Sequence, residues 1–251
     1  MSDSLTTLTR RVLFAPLTEP GRTETVVSRI RSAITLGIYA NGEQLPNEVD
    51  LAAQLSISPV TLRDALKVVR EEGLVHTTRG RSGGTFVIAP DESNMGYFER
   101  SLAALSVIEV RDLLDWQVAI LSQAAVLAAE RASAQDTQSL STTLESFGEA
   151  SNAMAARRVH SRFLIELAAS SRSARLSRAA IASQVEYAPH AMLVFRSGEH
   201  RSAVAERSLA LLEAVSARDA ERTHALMEEL LGHVGDRILE LHHEVSRRAS
   251  A

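Results

Sequence analysis

The stretch LPNEVDLAAQLSISPVTLRDALKVVREEGLV, residues 45–75, leaves few choices of fold. Leu51, Ala52 and Leu55 recur at helical spacing after Pro46 and Asn47, and then the pattern stops. Ser58 offers an N-cap and Pro59 suits the first helical position, after which Leu62, Ala65, Leu66 and Val69 restart the period. Two short helices joined by a tight polar turn are predicted. Upstream, Glu24 to Gly37 places Val27, Ile30, Ile34 and Ile38 on one face of an amphipathic helix, with Arg29 and Arg31 elsewhere around it. The segment YANGEQLP reads as turn. Beyond Gly73, LVHTT and GTFVIA read as two strands around RGRSG, a hairpin with a basic, glycine-rich tip. Helix, helix-turn-helix and β-wing together predict a winged helix-turn-helix, whose second paired helix enters the DNA major groove.

On that second helix Val60, Arg63, Asp64 and Lys67 should face outward. The helix start favours phosphate, Arg63 can reach a base edge or a phosphate, and Val60 suits a thymine methyl. Asn47, Ser58 and Thr61 join them at the two helix starts. On the wing, Arg79 and Arg81 should approach phosphate or the minor groove, while Gly80, Gly83 and Gly84 permit close backbone approach. The plainer alternative is a small helical subdomain with solvated arginines. Net charge is −4, which does not itself point to nucleic acid. Residues 1–90 carry 10 basic and 9 acidic residues, against 17 and 22 in the remainder, so any DNA contact must come from a local patch in the front part.

The run GIYANGEQLPNEVDLAAQLSISPVTLRDALKVVREEGLV resembles the GntR family of bacterial transcription regulators. The likeness lies in the pattern G-x-L-x-x-G-x-x-L-P-S-E-R-x-L-A, a V-S-R-x-T-V-R-x-A-L segment, and E-x-E-G-L-V. Val49 and Pro59 stand where the family commonly has arginine, so Arg63 alone remains of three arginines that often contact DNA. The resemblance therefore implies a DNA target unlike the family's best-known operators, with the RGRSGG wing compensating.

Behind this part, hydrophobic residues make up 45% of the chain and aromatics only 4%, a balance that favours helices. A 1–22 N-terminal arm, a 23–89 DNA-binding domain, a 90–99 linker and a 100–247 helical domain are expected. Spacings of three and four recur in the back part, as with Leu113, Trp116, Ile120, Ala124 and Leu127. Five or more such helices imply an antiparallel bundle, making the whole chain mainly α. AAVLAAERA, FLIELAASSRSARL and LLEAVSARDAERTHALMEELL are similar to the FCD domain of the FadR-type subgroup of the same family.

Many FCD domains hold a divalent metal with one Asp and three His. The resemblance puts His160, Leu164, Ser208 and Leu230 at those positions, and Gln117 and Leu121 at a frequent Arg and Glu pair. One possible ligand cannot hold a metal, so no metal and no cofactor is expected. These six residues are instead expected to line an apolar effector pocket, for which the branch that senses acyl thioesters is the analogue. The alternative is that Leu121, Leu164 and Leu230 fill the cavity. His200, His224 and His233 lie near enough in sequence to be considered as recruited ligands, but the 22-residue spacing of Ser208 to Leu230 fits the family pattern better.

No H-E-x-x-H, G-x-S-x-G or phosphate-loop motif occurs, so an enzyme is not expected. His242 and His243 read as solvated, His224 and Glu228 as a surface pair, and Met154 and Met192 as filler. Arg172, Arg175 and Arg178 read as a solvated face, with an anion site as the sharper option. Cysteine is absent and no apolar run reaches about 18 residues, which suits a cytoplasmic chain with no membrane partner. The expectation is a DNA-binding homodimer on a double-stranded operator, modulated by an effector such as acyl-CoA or another partly apolar metabolite. An effector-independent dimer is the alternative.

Overall fold

In a computed structural model, which describes residues 23–39, 41–78, 80, 83–88 and 95–249, the chain divides between residues 91 and 92 into two compact units. The front unit opens with α1, Thr23–Thr35, which buries Val26, Val27, Ile30, Ala33 and Ile34. Gly37 takes φ 70° and ends the helical path, so Leu36 and Tyr39 are buried rather than Ile38, which is only partly covered. Helix α2, Glu48–Leu55, and α3, Pro59–Glu71, form the predicted pair. Ser56 adopts a left-handed φ of 54° and its N–H reaches the carbonyls of Ala52 and Ala53, which turns the chain sharply enough for Ser58 to cap α3. Leu62, Ala65, Leu66 and Val69 of α3 are buried, as their spacing requires.

Strands β1, Val75–Thr78, and β2, Gly84–Val87, pair antiparallel with Val75 opposite Val87 and Thr78 opposite Gly84. A third edge comes from the segment read as turn. Gly42 donates to Val87 O, Leu45 donates to Thr85 O, and Val87 donates back to Glu43 O, each at 2.9 Å. Arg31 forks onto Glu72, with Nε 3.2 Å and Nη2 2.5 Å from its carboxylate oxygens, tying α1 to the end of α3.

The second unit is a bundle of seven helices among the described residues: α4 Met95–Ala103, α5 Val107–Arg131, α6 Ala134–Gly148, α7 Ala153–Ser170, α8 Ala174–Val194, α9 Gly198–Ser216 and α10 Ala220–Ala249. Helix α5 packs against α10, α8, α7 and α9, so it runs through the middle of the core. It starts on a reciprocal box in which Ser106 and Glu109 cap each other, and those hydrogen bonds hold the Glu109 carboxyl below its ordinary pKa.

Two expectations, the linker bound and the inward face of α5, need correction. Met95–Glu99, expected within the linker, are helical. Arg172 takes φ 57° at the turn that separates α7 from α8. Helix α8 carries Pro189 in its interior and continues to Val194. The core face of α5 is Val110, Leu113, Gln117, Leu121, Ala124 and Ala128, leaving Trp116 half exposed. The large ring suggested an inward position, but the small alanines and the glutamine share the angular range that meets the neighbouring helices.

Candidate functional site

The outer face of α3 is open, with Val60 64% exposed and Arg63 and Lys67 following at intervals of three and four residues. Val49, on α2, is 72% exposed. Other predicted contact residues are already engaged within the helix pair. Asn47 Oδ1 accepts from the Asp50 N–H at 2.9 Å, and its Nδ2 donates to Asp50 Oδ2 at 2.5 Å. Ser58 Oγ accepts from the Thr61 N–H at 3.1 Å and lies 2.9 Å from Thr61 Oγ1. Arg63 Nε is 2.9 Å from Glu48 Oε2, an exposed ion pair between the two helices that sequence reading missed. Lys67 has no ion-pair partner among the described residues.

On the wing, a Cβ at Gly83 would stand 2.6 Å from Thr78 O, so only glycine fits the closed hairpin end. At Gly84 the obstacle is the Gln44 side chain, whose Nε2 donates to Gly83 O at 3.2 Å. Arg79 and Arg81 lie outside the described residues, as does the 1–22 arm.

In the helical unit all six predicted pocket residues are buried in one core. Leu121, Leu164, Ser208 and Leu230 are 0% exposed, and Gln117 and His160 are 1% exposed. Ser208 Oγ donates to the carbonyl of Val204 at 2.7 Å, one turn back on its own helix, which leaves it self-satisfied. The surroundings are more polar than expected. Gln117 accepts a hydrogen bond from Ser183 on α8, while its Nε2 has no partner. Both ring nitrogens of His160, the Tyr187 hydroxyl and both ends of the Gln184 amide are likewise buried without partners. The His160 ring lies 6.4 Å from Tyr187 and 5.3 Å from Phe195, centroid to centroid, which brings α7 and α8 together here. Burial pushes His160 down to about 3, so its imidazole is neutral, and it pushes the Tyr187 hydroxyl up.

These residues do not fit a metal ion. His160 is the one imidazole in the set, Leu164 and Leu230 offer no donor atom, and the Ser208 hydroxyl already serves its helix. His200 and His233 do approach each other, with Nδ1 and Nε2 3.3 Å apart, but no group of three or more His, Asp or Glu that could hold a metal occurs among the described residues. Burial, Arg207 and His200 push His233 below its ordinary pKa. His242, expected to be solvated, is 6% exposed with Nε2 2.8 Å from Leu105 O, whereas His224 and Glu228 form the surface pair foreseen, at 3.4 Å.

Polar residues that the sequence reading passed over include Ser183, Gln184 and Tyr187; their spacing of three and four on α8 was the available signal. A separate cleft of about 340 Å3 is lined by Glu99, Arg196, His200, Arg237 and Glu244. Of its three arginines, Arg196 pairs with Glu99 at 3.2 Å and Arg237 with Glu240 and Glu244 at 2.7 and 3.2 Å, while Arg248 is exposed. Arg172 is likewise paired with Asp136, while Arg175 and Arg178 face solvent.

Comparison with known proteins places these features. The family described as "Bacterial regulatory proteins, gntR family" matches residues 22–87, and the FCD domain matches residues 112–233. The putative HTH-type transcriptional regulator RmpR of Mycobacterium gastri is 36% identical over 86% of this chain and 80% of its own length. The uncharacterized HTH-type transcriptional regulator YcbG of Bacillus subtilis (strain 168) is 26% identical over 86% of this chain and 89% of its own. Among solved structures, E. coli McbR/YncC superposes with a TM-score of 0.50 at 19% identity, covering 88% of this chain and 97% of that one, a likeness of fold. No helix among the described residues is long and apolar enough to cross a membrane.

Proposed function

Because the chain belongs to the GntR family of DNA-binding transcription regulators and carries an FCD domain, we propose that it acts in the cytoplasm as a homodimer whose hold on a pseudo-palindromic operator is set by a small-molecule effector in the helical unit. Two copies would present two α3 helices to half-sites related by the protein's own twofold axis. In each half-site Val60 and Arg63 face base edges and Lys67 a phosphate, with Asn47, Ser58 and Thr61 fixing the helix starts and Gly83 and Gly84 shaping the wing. Arg79 and Arg81 add phosphate or minor-groove contacts. Glu48 pairs with Arg63 in the free protein, so DNA must share or displace that pair.

The observation that carries the effector reading is the set of buried polar atoms without partners on Gln117, His160, Gln184 and Tyr187. Native interiors satisfy such groups with protein, water or ligand. An effector-independent dimer is the second reading, favoured by the complete burial of Leu121, Leu164 and Leu230, but it leaves those polar groups unexplained. They also favour a polar effector over an acyl chain.

Selecting genomic fragments with the purified protein tests the DNA side and yields an operator. Arg63→Ala should then cost roughly 1–3 kcal/mol of operator affinity and relax preference at one base pair, whereas Lys67→Ala should weaken all sequences alike and lower the salt slope by about one. Unchanged affinity in Arg63→Ala would refute the assignment of Arg63.

A further inference from the structure

Arg157 sits on α7 with 3% of its surface exposed and no carboxylate within ion-pair distance among the described residues. Its Nη2 reaches only the sulfur of Met154, at 3.4 Å, and its Nη1 has no partner. The one buried acid on the same helix, Glu166, already accepts from Thr143 at 2.7 Å and from Arg162 at 2.8 Å. Nine residues further on, it also lies on the opposite side of the helix at about 100° per residue. Burial, helped by the neighbouring Arg158, pulls Arg157 down to about 9, which leaves it charged at neutral pH. Water can satisfy buried neutral groups, but it does not neutralise a buried charge.

The direction of that charge is informative. Arg157, His160 and Leu164 fall within about 60° of one another around α7. His160 in turn approaches Tyr187 of α8, and Ser183 of α8 is hydrogen-bonded to Gln117 of α5. Arg157 therefore stands on the same core face as the partnerless neutral groups, one turn from His160.

From this arrangement we infer that Arg157 anchors the effector, and that the effector is a small molecule bearing a single anionic group, carboxylate or phosphate, on an uncharged hydroxylated body. The guanidinium forks onto the anionic oxygens. His160, Gln184, Tyr187 and the free amide of Gln117 take up the hydroxyls, each able to donate and, except for the Gln117 Nε2, to accept. A divalent cation is repelled by the same charge. The inference rests on the reading of the helical unit as the effector-binding part and specifies the ligand class and its anchor.

The test uses full-length protein and three probes with a common three-carbon body: glycerol, glycerate and glycerol 3-phosphate. Binding is read by calorimetry and by thermal shift on wild type, Arg157→Met, and the surface control Arg175→Met. Glycerate or glycerol 3-phosphate should bind wild type and Arg175→Met, and whichever binds identifies the anionic group. Glycerol should bind neither. Arg157→Met should weaken the anion roughly tenfold to a hundredfold. Without ligand it should melt higher than wild type, because an unpaired buried charge has been removed. A purely structural arginine would make Arg157→Met melt lower and leave anion binding as in wild type, which would overturn the proposal. Equal binding of glycerol and the anions would also overturn it while leaving the effector-binding reading intact. Failure of every probe to bind wild type would overturn the anion assignment; failure of the effector reading itself would show as operator affinity unmoved by any ligand that does bind.

Discussion

A neutral imidazole enclosed in a protein core makes stability depend on pH, and His160 gives that dependence a definite sign. Its folded pKa is depressed to about 3 from an ordinary 6.5, with desolvation as the cause. Below pH 6.5 the unfolded chain therefore binds a proton that the folded chain refuses, and the difference persists down to about 3. Stability attributable to this group is complete above 6.5 and drains away as pH falls through that window. His190, lowered to about 4 by burial and by His242, acts in the same direction over a narrower range. Urea titrations from pH 7 to pH 4 should show wild-type stability falling with acid, and His160→Gln should flatten that slope by about one proton. An unaltered slope would mean that the ring is hydrated or exchanges its surroundings.

Elements make different demands on single residues, and the wing shows how. At Gly83 a methyl group would collide with the backbone carbonyl of Thr78, which cannot move without opening the hairpin; at Gly84 it would meet the far end of Gln44, which can swing aside. Gly83→Ala should therefore lower both thermal stability and operator affinity, while Gly84→Ala should be tolerated at the cost of the Gln44 to Gly83 hydrogen bond. Equal effects would mean that the hairpin end is not closed as described. The helix pair was legible in the sequence because its signals are local: the Ser58 cap, Pro59 behind it and the spacing of Leu62 to Val69 each act within a turn. What stayed hidden depends on partners far along the chain. The edge at 42–45 exists only because β2 is there to pair with it, Arg63 meets Glu48 across fifteen residues, and the inward face of α5 was set by where α7, α8 and α10 lie. Placing His160 and Gln117 came from a family pattern, whereas Arg157 resembled any other helical arginine until its burial was known. The outward turn of Trp116 has a consequence as well. Half exposed on α5, with Ile108 74% exposed on the same helix, it offers apolar surface suited to a second copy of the chain. Trp116→Glu should shift the sedimentation of the purified protein towards a monomer, and an unchanged dimer would place the interface elsewhere.

For the molecule as a whole, a ligand in the helical unit can alter DNA binding only through its different affinity for the DNA-competent and DNA-incompetent states. That requirement makes the regulatory reading quantitative. If glycerate or glycerol 3-phosphate changes the operator dissociation constant by some factor, saturating operator must change the ligand dissociation constant by the same factor, and couplings of this kind commonly run from about fivefold to about 150-fold. Measuring both legs, by operator titration with and without ligand and by calorimetry with and without operator, closes the cycle on one protein. Arg157→Met should lose the effect of ligand on operator affinity while keeping the ligand-free operator affinity, because Arg157 belongs to the helical unit and α3 to the other. If the proposed phosphate contacts of Lys67 and the wing arginines form, the ligand-free affinity should in turn fall with rising salt. Ligand that binds with the operator constant unmoved would identify the chain as a regulator whose helical unit holds the anion without passing its binding on to the DNA-binding unit.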